Sequence, residues 1–366
     1  MTQNILISGA FLLSALCGFI FIPLIMRFCK KKGLYDHPDA RKVHRRNIPR
    51  LGGISFMPSM MLASLVFVLI NRQGSFAFSN WSLMFFICLL LIYGVGIVDD
   101  LVGLDAKTKF SVQTLAAILL PLAGLYINNL YGLFGIHEVP YFVGFPLTVF
   151  IIVFVCNAIN LIDGIDGLSA GLSFIALAGF LYFFQQEDFF YYSILIAGLM
   201  GVLVAFLYFN IFGKAEKNKK IFMGDSGSLT LGFILGFLSV KYSMHHPETS
   251  PLRPDSLIQA SSLLIVPAFD VIRVTLVRFC HHTPLFQADK NHIHHKLMRA
   301  GLSQHQTLCC VLLLAMGYIV INLLILPYIG QTVTVLVDVF VWLIFHFVLN
   351  RQIQKKGQPV FLPNKD

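Results

Sequence analysis

Eleven stretches of about 20 predominantly apolar residues, the length a helix needs to cross the hydrocarbon core of a bilayer, follow one another along this chain. Polar or Gly/Pro-rich breaks separate them. With 57% hydrophobic and 12% charged residues among 366, too little polar surface exists to clothe a soluble fold of this size. The expected fold class is therefore all-α: a polytopic integral membrane protein whose residues 1–366 form one transmembrane helical domain. No soluble domain, repeat or low-complexity segment interrupts it. The spans are expected near 4–28, 51–70, 81–98, 110–128, 145–162, 168–184, 190–212, 227–243, 257–280, 307–328 and 331–349. A tight hairpin is expected at Ile329-Gly330-Gln331, and an interruption in the ninth span, where Pro267 costs a backbone bond.

The basic residues orient the bundle. Lys and Arg number eight in 29–50, two in 99–109, four in 213–226, three in 281–306 and four in the C-terminal tail. The alternate loops carry only Arg72, Lys241 and Arg253. The Lys/Arg bias thus makes the first set cytoplasmic, with the N-terminus outside and the C-terminus inside. It also accounts for the net charge of +9 without nucleic acid as a partner, because the bases sit in loops between apolar runs. The seven cysteines lack paired metal-ligand spacing and read as small buried hydrophobes. The first apolar run lacks a preceding base and a small-residue cleavage pattern at Cys17, so it reads as a retained helix.

Acids at bilayer depth are costly and are usually functional or paired. Here they gather at the cytoplasmic span ends: Asp99 and Asp100 end the third span, Asn157, Asn160, Asp163 and Asp166 end the fifth, and Asp225 opens the eighth. The chemistry is accordingly expected in loops 29–50, 99–109, 163–167, 213–226 and 281–306. Singly, each acid could be a helix cap. Several drawn together repel, and persist only with a cation or basic side chains between them. Oxygen ligands without a cysteine pair favour magnesium, or manganese, over zinc.

Phe222-Met-Gly-Asp-Ser-Gly-Ser228 has glycines for close backbone approach and serines able to cap a helix whose free N–H groups face an anion, with Asp225 set to hold a metal beside it. Asn157, Asn160 and Asp163 repeat at helical spacing as a polar stripe, suited to a nucleobase or sugar, or else to bridging helices. His292-Ile-His294-His295, with Lys290, Lys296 and Arg299, lacks the two-turn spacing of a metal site and suits a pyrophosphate or an anionic lipid surface. Asp270 and Arg273, three apart in the ninth span, read as an intramembrane pair.

These motifs, from Pro49-Arg-Leu-Gly-Gly53 to His292–His295, stand in the order and spans of the polyprenyl-phosphate N-acetylhexosamine-1-phosphate transferase family, which the chain resembles over nearly its whole length. The resemblance implies a bacterial inner-membrane enzyme of ten or eleven helices with its site at the cytoplasmic face. Its substrates would be a UDP-N-acetylhexosamine and undecaprenyl phosphate, its cofactor Mg2+, and its assembly a homodimer. Asp99, Asp100 and Asp225 would be catalytic, with Asp225 and Asp100 on the metal. Lys107, Lys109, Asn160, Asp163, Asp166, Asn210, His292, His294 and His295 would contact substrate, Asn210 despite a longer, more basic link over 213–220 than the family pattern. Pro49-Arg-Leu-Gly-Gly53 and His-Ile-His-His favour the hexosamine branch over the lipid I-forming translocase, the alternative within the family. The implied reaction transfers a sugar-1-phosphate, most readily GlcNAc-1-phosphate, and releases UMP. The non-enzyme rival is a secondary transporter, whose acids would sit near the bilayer midplane rather than at span ends. A prenyl-chain synthase would carry repeated Asp-x-x-x-Asp clusters, and the paired cluster here is Asp99-Asp100.

Overall fold

The computed structural model of the chain describes residues 3–36, 47–71, 79–217, 219–245, 252–284 and 289–362. Arg41, Lys42, Arg45, Arg46, Arg72 and Lys365, which entered the charge count above, lie outside the described residues. The architecture is helical: α1 (Gln3–Lys32), α2 (Phe56–Ile70), α3 (Asn80–Val102), α4 (Ala106–Leu122), α5 (Tyr141–Leu161), α6 (Leu168–Gln186), α7 (Phe190–Leu207), α8 (Asp225–Ser243), α9 (Ser256–Leu263), α10 (Ile265–Cys280), α11 (Ile293–Arg299) and α12 (Gln304–Lys355). Seven helices among the described residues are long and apolar enough to cross a membrane. Their outward faces are apolar too: Leu12, Leu69 and Phe340 are 65%, 71% and 63% exposed, as expected of side chains that meet lipid rather than water. The protein is a polytopic membrane protein.

Helix α8 forms the axis, with every residue from Ser226 to Ser243 buried. Gly232 and Gly236 let it lie directly on α5: a Cβ on Gly232 would come 2.6 Å from the Cα of Cys156, and one on Gly236 would come 3.2 Å from that of Ile152. Small residues four apart are the usual device for close helix approach where lipid supplies no hydrophobic drive.

The expected hairpin in the last apolar segment is present. Gly330 has φ 72° inside α12, and Tyr318 Oη donates to the Asp338 carbonyl at 3.3 Å, while Asn322 Nδ2 donates to its carboxylate at 2.9 Å. On one straight helix residues 20 apart would be about 30 Å apart, so the chain folds back. The ninth segment breaks at Leu264, between α9 and α10, and not at Pro267 itself. Pro267 sits in the first turn of α10, where a missing N–H costs no bond. Of the seven cysteines, all free, Cys17, Cys29, Cys88 and Cys156 are buried as expected, while Cys280 and Cys309 are exposed.

Two short antiparallel pairs have no counterpart in the sequence reading. β3 (Asn129–Leu133) with β4 (Ile136–Glu138) abuts the Gly330 turn through Gln331 Nε2, which donates to the Tyr131 carbonyl at 2.8 Å. At the other end of the bundle β1 (Tyr35–Asp36) pairs with β2 (Ile48–Pro49).

Candidate active site

At that end the C-terminal ends of α3 and α5 and the π-helical turn after α7 meet the Asp163–Asp166 turn before α6 and the start of α8 around one cavity of about 670 Å³. Asp99, Asp100, Asn160, Asp163, Asp166, Asn210, Asp225 and His295 all line it. Acids 126 positions apart in sequence, Asp99 to Asp225, are thus brought to one rim.

Main-chain bonds build the cavity floor. Phe222 N–H donates to the Pro49 carbonyl (2.7 Å), and Gly52 and Gly53 N–H donate to the carbonyls of Phe222 and Met223 (2.9 and 2.8 Å). The Pro49–Gly53 and Phe222–Ser228 motifs are therefore one structural unit. Gly224 turns the chain into α8 with φ 73°, and a Cβ there would collide with the Arg50 carbonyl and the Asp100 carboxylate. Only glycine meets both demands.

The neighbouring aspartates face different ways. Asp100, 4% exposed, accepts the main-chain N–H of Asp225 at 2.8 Å and of Ser226 at 2.9 Å. The anion expected at the free N–H groups of α8 is thus Asp100 itself, which caps the helix from α3, and no serine side chain caps it. Each of its oxygens accepts one main-chain N–H, so Asp100 anchors the start of α8 to the end of α3. Asp99 accepts Leu104 N–H at 2.6 Å and the Lys109 ammonium at 3.2 Å. The same ammonium lies 2.5 Å from Asp225. Asp225 also accepts from Asn160 Nδ2 at 3.1 Å, and Asn160 reaches Ser228 Oγ at 2.8 Å.

Asp163 lies beyond the end of α5, exposed to the cavity though enclosed by protein. Removal from bulk water, and then repulsion from Asp225, Asp166 and Asp100, pushes its carboxyl up to about 7. Among the described residues no hydrogen bond or ion pair reaches its side chain. Asp166 pairs with Lys220 at 2.6 Å. Asn157 belongs to the helix-bridging alternative, donating to Gln113 on α4 at 2.8 Å.

Other expected site residues have partners within the protein or lie off the cavity. Asn210 lines the cavity, but its carbonyl oxygen accepts Gly167 N–H at 2.7 Å and its amide donates to the Ile221 carbonyl at 2.9 Å. Its polar atoms tie the Asp163–Asp166 turn to the Phe222 segment, from a π-helical turn over Tyr208–Phe212 that ends α7. Lys107 is exposed and outside the cavity lining. Of the three histidines His295 alone lines the cavity. Burial and the facing His292, Lys290 and Arg299 push it down to about 4, which leaves it neutral at pH 7 and a hydrogen-bonding group rather than a cation. His294 packs behind the turn, where a Cβ on Gly164 would strike its Nε2. His292 Nδ1 donates to Asp270 at 2.8 Å. The expected Asp270–Arg273 pair is present at 2.6 Å, and Asp270 also accepts Ile293 N–H at 3.0 Å, so α10 holds the histidine segment. Sequence reasoning missed Lys220, Arg50 and Asp36 at the cavity, and this role of Asp270 beyond its pair with Arg273.

Among the described residues no three His, Cys, Asp or Glu side chains lie close enough together to hold a metal ion as they stand. The donor chemistry nonetheless fits a hard cation: an ammonium already sits between Asp99 and Asp225, and Asp163 offers unengaged oxygens.

Residues 82–243, which carry α3 to α8, match glycosyl transferase family 4. A protein of Bacillus subtilis described as a probable undecaprenyl-phosphate N-acetylglucosaminyl 1-phosphate transferase is 32% identical over 83% of this chain and 81% of its own length. The chain belongs to this transferase family. Further relatives are the undecaprenyl-phosphate alpha-N-acetylglucosaminyl 1-phosphate transferases of Yersinia pestis, 29% identical over 85% of this chain and 84% of that protein, and of Escherichia coli K12, 29% over 82% and 81%. The matched family segment contains every carboxylate of the cavity except Asp36, and stops before the histidine segment.

Proposed function

We propose that this chain transfers GlcNAc-1-phosphate from UDP-GlcNAc to undecaprenyl phosphate in a magnesium-dependent reaction, initiating cell-envelope polysaccharide synthesis. The observation that carries the reading is that Asp99 and Asp225, which line one cavity with Asp163, are joined by the Lys109 ammonium, in a chain related to transferases so named. The bundle crosses the bacterial inner membrane eleven times, with the N-terminus outside, the C-terminus and cavity on the cytoplasmic side, and the enzyme acting as a homodimer. The alternation of basic loops supports that orientation.

An oxygen of the lipid phosphate attacks the sugar-bearing phosphorus. A new phosphoanhydride forms, the bond to the UMP oxygen breaks, and UMP leaves. A phosphomonoester is largely dianionic at neutral pH, its second pKa being about 6, so it needs no base. Repulsion between two anions is the main obstacle, and positioning with fixed cations is what lowers it. Lys109 supplies a cation beside the reacting centre, held by Asp99 and Asp225. Lys220 and Asp166 frame the nucleotide side, and His295 donates or accepts as a neutral ring. Asp225 and Asp163 would hold the magnesium ion, which neutralises developing phosphate charge when bound. Asp100 and Asn210 keep the two loops in register.

Purified protein in bilayers should release UMP only when UDP-GlcNAc, undecaprenyl phosphate and magnesium are all present. Release without the lipid, or with UDP-MurNAc-pentapeptide in place of UDP-GlcNAc, would overturn the assignment, as would none at all.

A further inference from the structure

A second cavity, of about 650 Å³, lies beside the first and shares Gly213 with it. The wall between them is the β1–β2 pair. Tyr35 and Pro49, cross-strand partners, line the second cavity, whereas Asp36 and Ile48, the next pair, line the first together with Arg50. This follows from the two-residue pleat, which sends alternate positions to opposite faces.

The two cavities differ in charge. Five aspartates line the catalytic one besides Asp36, while the second is lined by Arg27, Lys30, Lys214 and Lys219 and by no acid. Among the described residues none of these four bases has an ion pair. The rest of the lining is apolar or aromatic, and Tyr208 and Phe212 beside it are 53% and 71% exposed at the flank of the bundle. Cations at the end of a spanning helix, beside outward-facing aromatic rings, match the level of lipid headgroups.

We propose that this cavity binds the phosphate headgroup of an anionic membrane glycerophospholipid, its acyl chains lying along α1 and the end of α7. The hairpin wall decides against the reacting phosphate as occupant, since a phosphate held there is screened from Lys109, Asp99 and Asp225. Two consequences follow from the geometry. The lipid presses on the Tyr35 face of a hairpin whose opposite face presents Ile48 and Arg50 to the catalytic cavity. It also gives the basic link over 213–220 a ligand, since Lys214 and Lys219 serve the second cavity while Lys220 serves the first.

The test is lipid retention by the full chain, purified and placed in phosphatidylcholine nanodiscs with a small fraction of phosphatidylglycerol, read by native mass spectrometry without nucleotide. This readout needs no turnover, so it stands or fails separately from the transferase reading. Wild-type protein should keep one phosphatidylglycerol against excess phosphatidylcholine. The K214Q/K219Q variant, altered only on the exposed link, should lose at least about tenfold in retention, because each base near a headgroup is worth about 1 kcal/mol. A K214R/K219R variant should retain it, and UMP release in pure phosphatidylcholine should be the same for all three proteins. Equal retention by wild type and K214Q/K219Q would overturn the proposal. So would unchanged phosphatidylglycerol retention with a raised KM for undecaprenyl phosphate, which would assign the cavity to the acceptor.

Discussion

Lys109 and Asp225, 116 positions apart in the chain, meet as an ion pair at 2.5 Å, and Asp99 lies 3.2 Å from the same ammonium. Lys109 therefore holds two carboxylates together that would otherwise repel, and puts a positive charge where the diphosphate must come. Lys109→Gln should lower kcat by about 10²- to 10³-fold, the size of effect seen when one fixed stabiliser of transition-state charge is lost. Lys109→Arg should recover part of it. Steady-state UMP release checks this, and a change confined to KM would make Lys109 a simple binding residue.

Asp225 is offered as the principal metal ligand, and its replacement separates that role from loop geometry. Asp225→Asn keeps the side-chain shape at the start of α8 and loses the charge. Most magnesium-dependent turnover should disappear, with the main-chain bonds to Asp100 intact because they come from the N–H groups of residues 225 and 226. An unchanged magnesium titration in the variant would take Asp225 off the metal.

Asp163 gives a pH signature. Its carboxyl is pushed up to about 7 in the fold, from an ordinary value of 3.8. Between about 4 and 7 the folded protein binds the proton that the unfolded chain has released, so folding is favoured at the low end and this contribution is lost as pH rises through 7. Asp163→Asn removes the dependence. In metal-free buffer the variant should gain thermal stability over wild type at pH 8 and little at pH 5. A wild-type-minus-variant difference independent of pH would mean Asp163 keeps an ordinary value.

The all-helical membrane bundle, the fold-back at Gly330 and the gathering of the aspartates were legible because they follow from apolar run length and from the cost of unpaired charge. What the individual polar residues do was not. Asp99 and Asp100 look equivalent in sequence, yet the turn of about 100° between successive helical residues sends one to Lys109 and the other to the N–H groups of α8. The three histidines look like one cluster, but only His295 points into the cavity. Lys220 stands in a basic link, which the fold divides between two cavities. The strand pairs were invisible because two- to five-residue strands carry too few positions for a period to register.

Asn210 tests the distinction between touching substrate and holding the site. Its amide joins Gly167 to Ile221 with bonds of 2.7 and 2.9 Å, and the residue is 4% exposed. Asn210→Ala leaves a buried N–H and a buried carbonyl unpaired, at about 1–3 kcal/mol each. A drop in melting temperature should therefore accompany any loss of activity. Loss of activity at unchanged melting temperature would return Asn210 to the substrate-contacting set.

Asp270 is buried in α10 and satisfies three donors at once: Arg273, His292 Nδ1 and Ile293 N–H. Its removal should cost more than one hydrogen bond, because Arg273 would keep its charge in a low-dielectric site without a counterion. Breaking one partner of a buried pair typically costs about 3–5 kcal/mol, so Asp270→Ala should be strongly destabilised. Replacing Arg273 as well, as in D270A/R273M, removes the stranded charge and should restore much of the melting temperature. His292 would still lack the acceptor that fixes its ring and, through Ile293, the start of α11. The double variant should therefore stay well below wild type in kcat while regaining stability. Recovery of both together would make Asp270 purely a packing residue, and recovery of neither would mean that its charge is balanced by something other than Arg273.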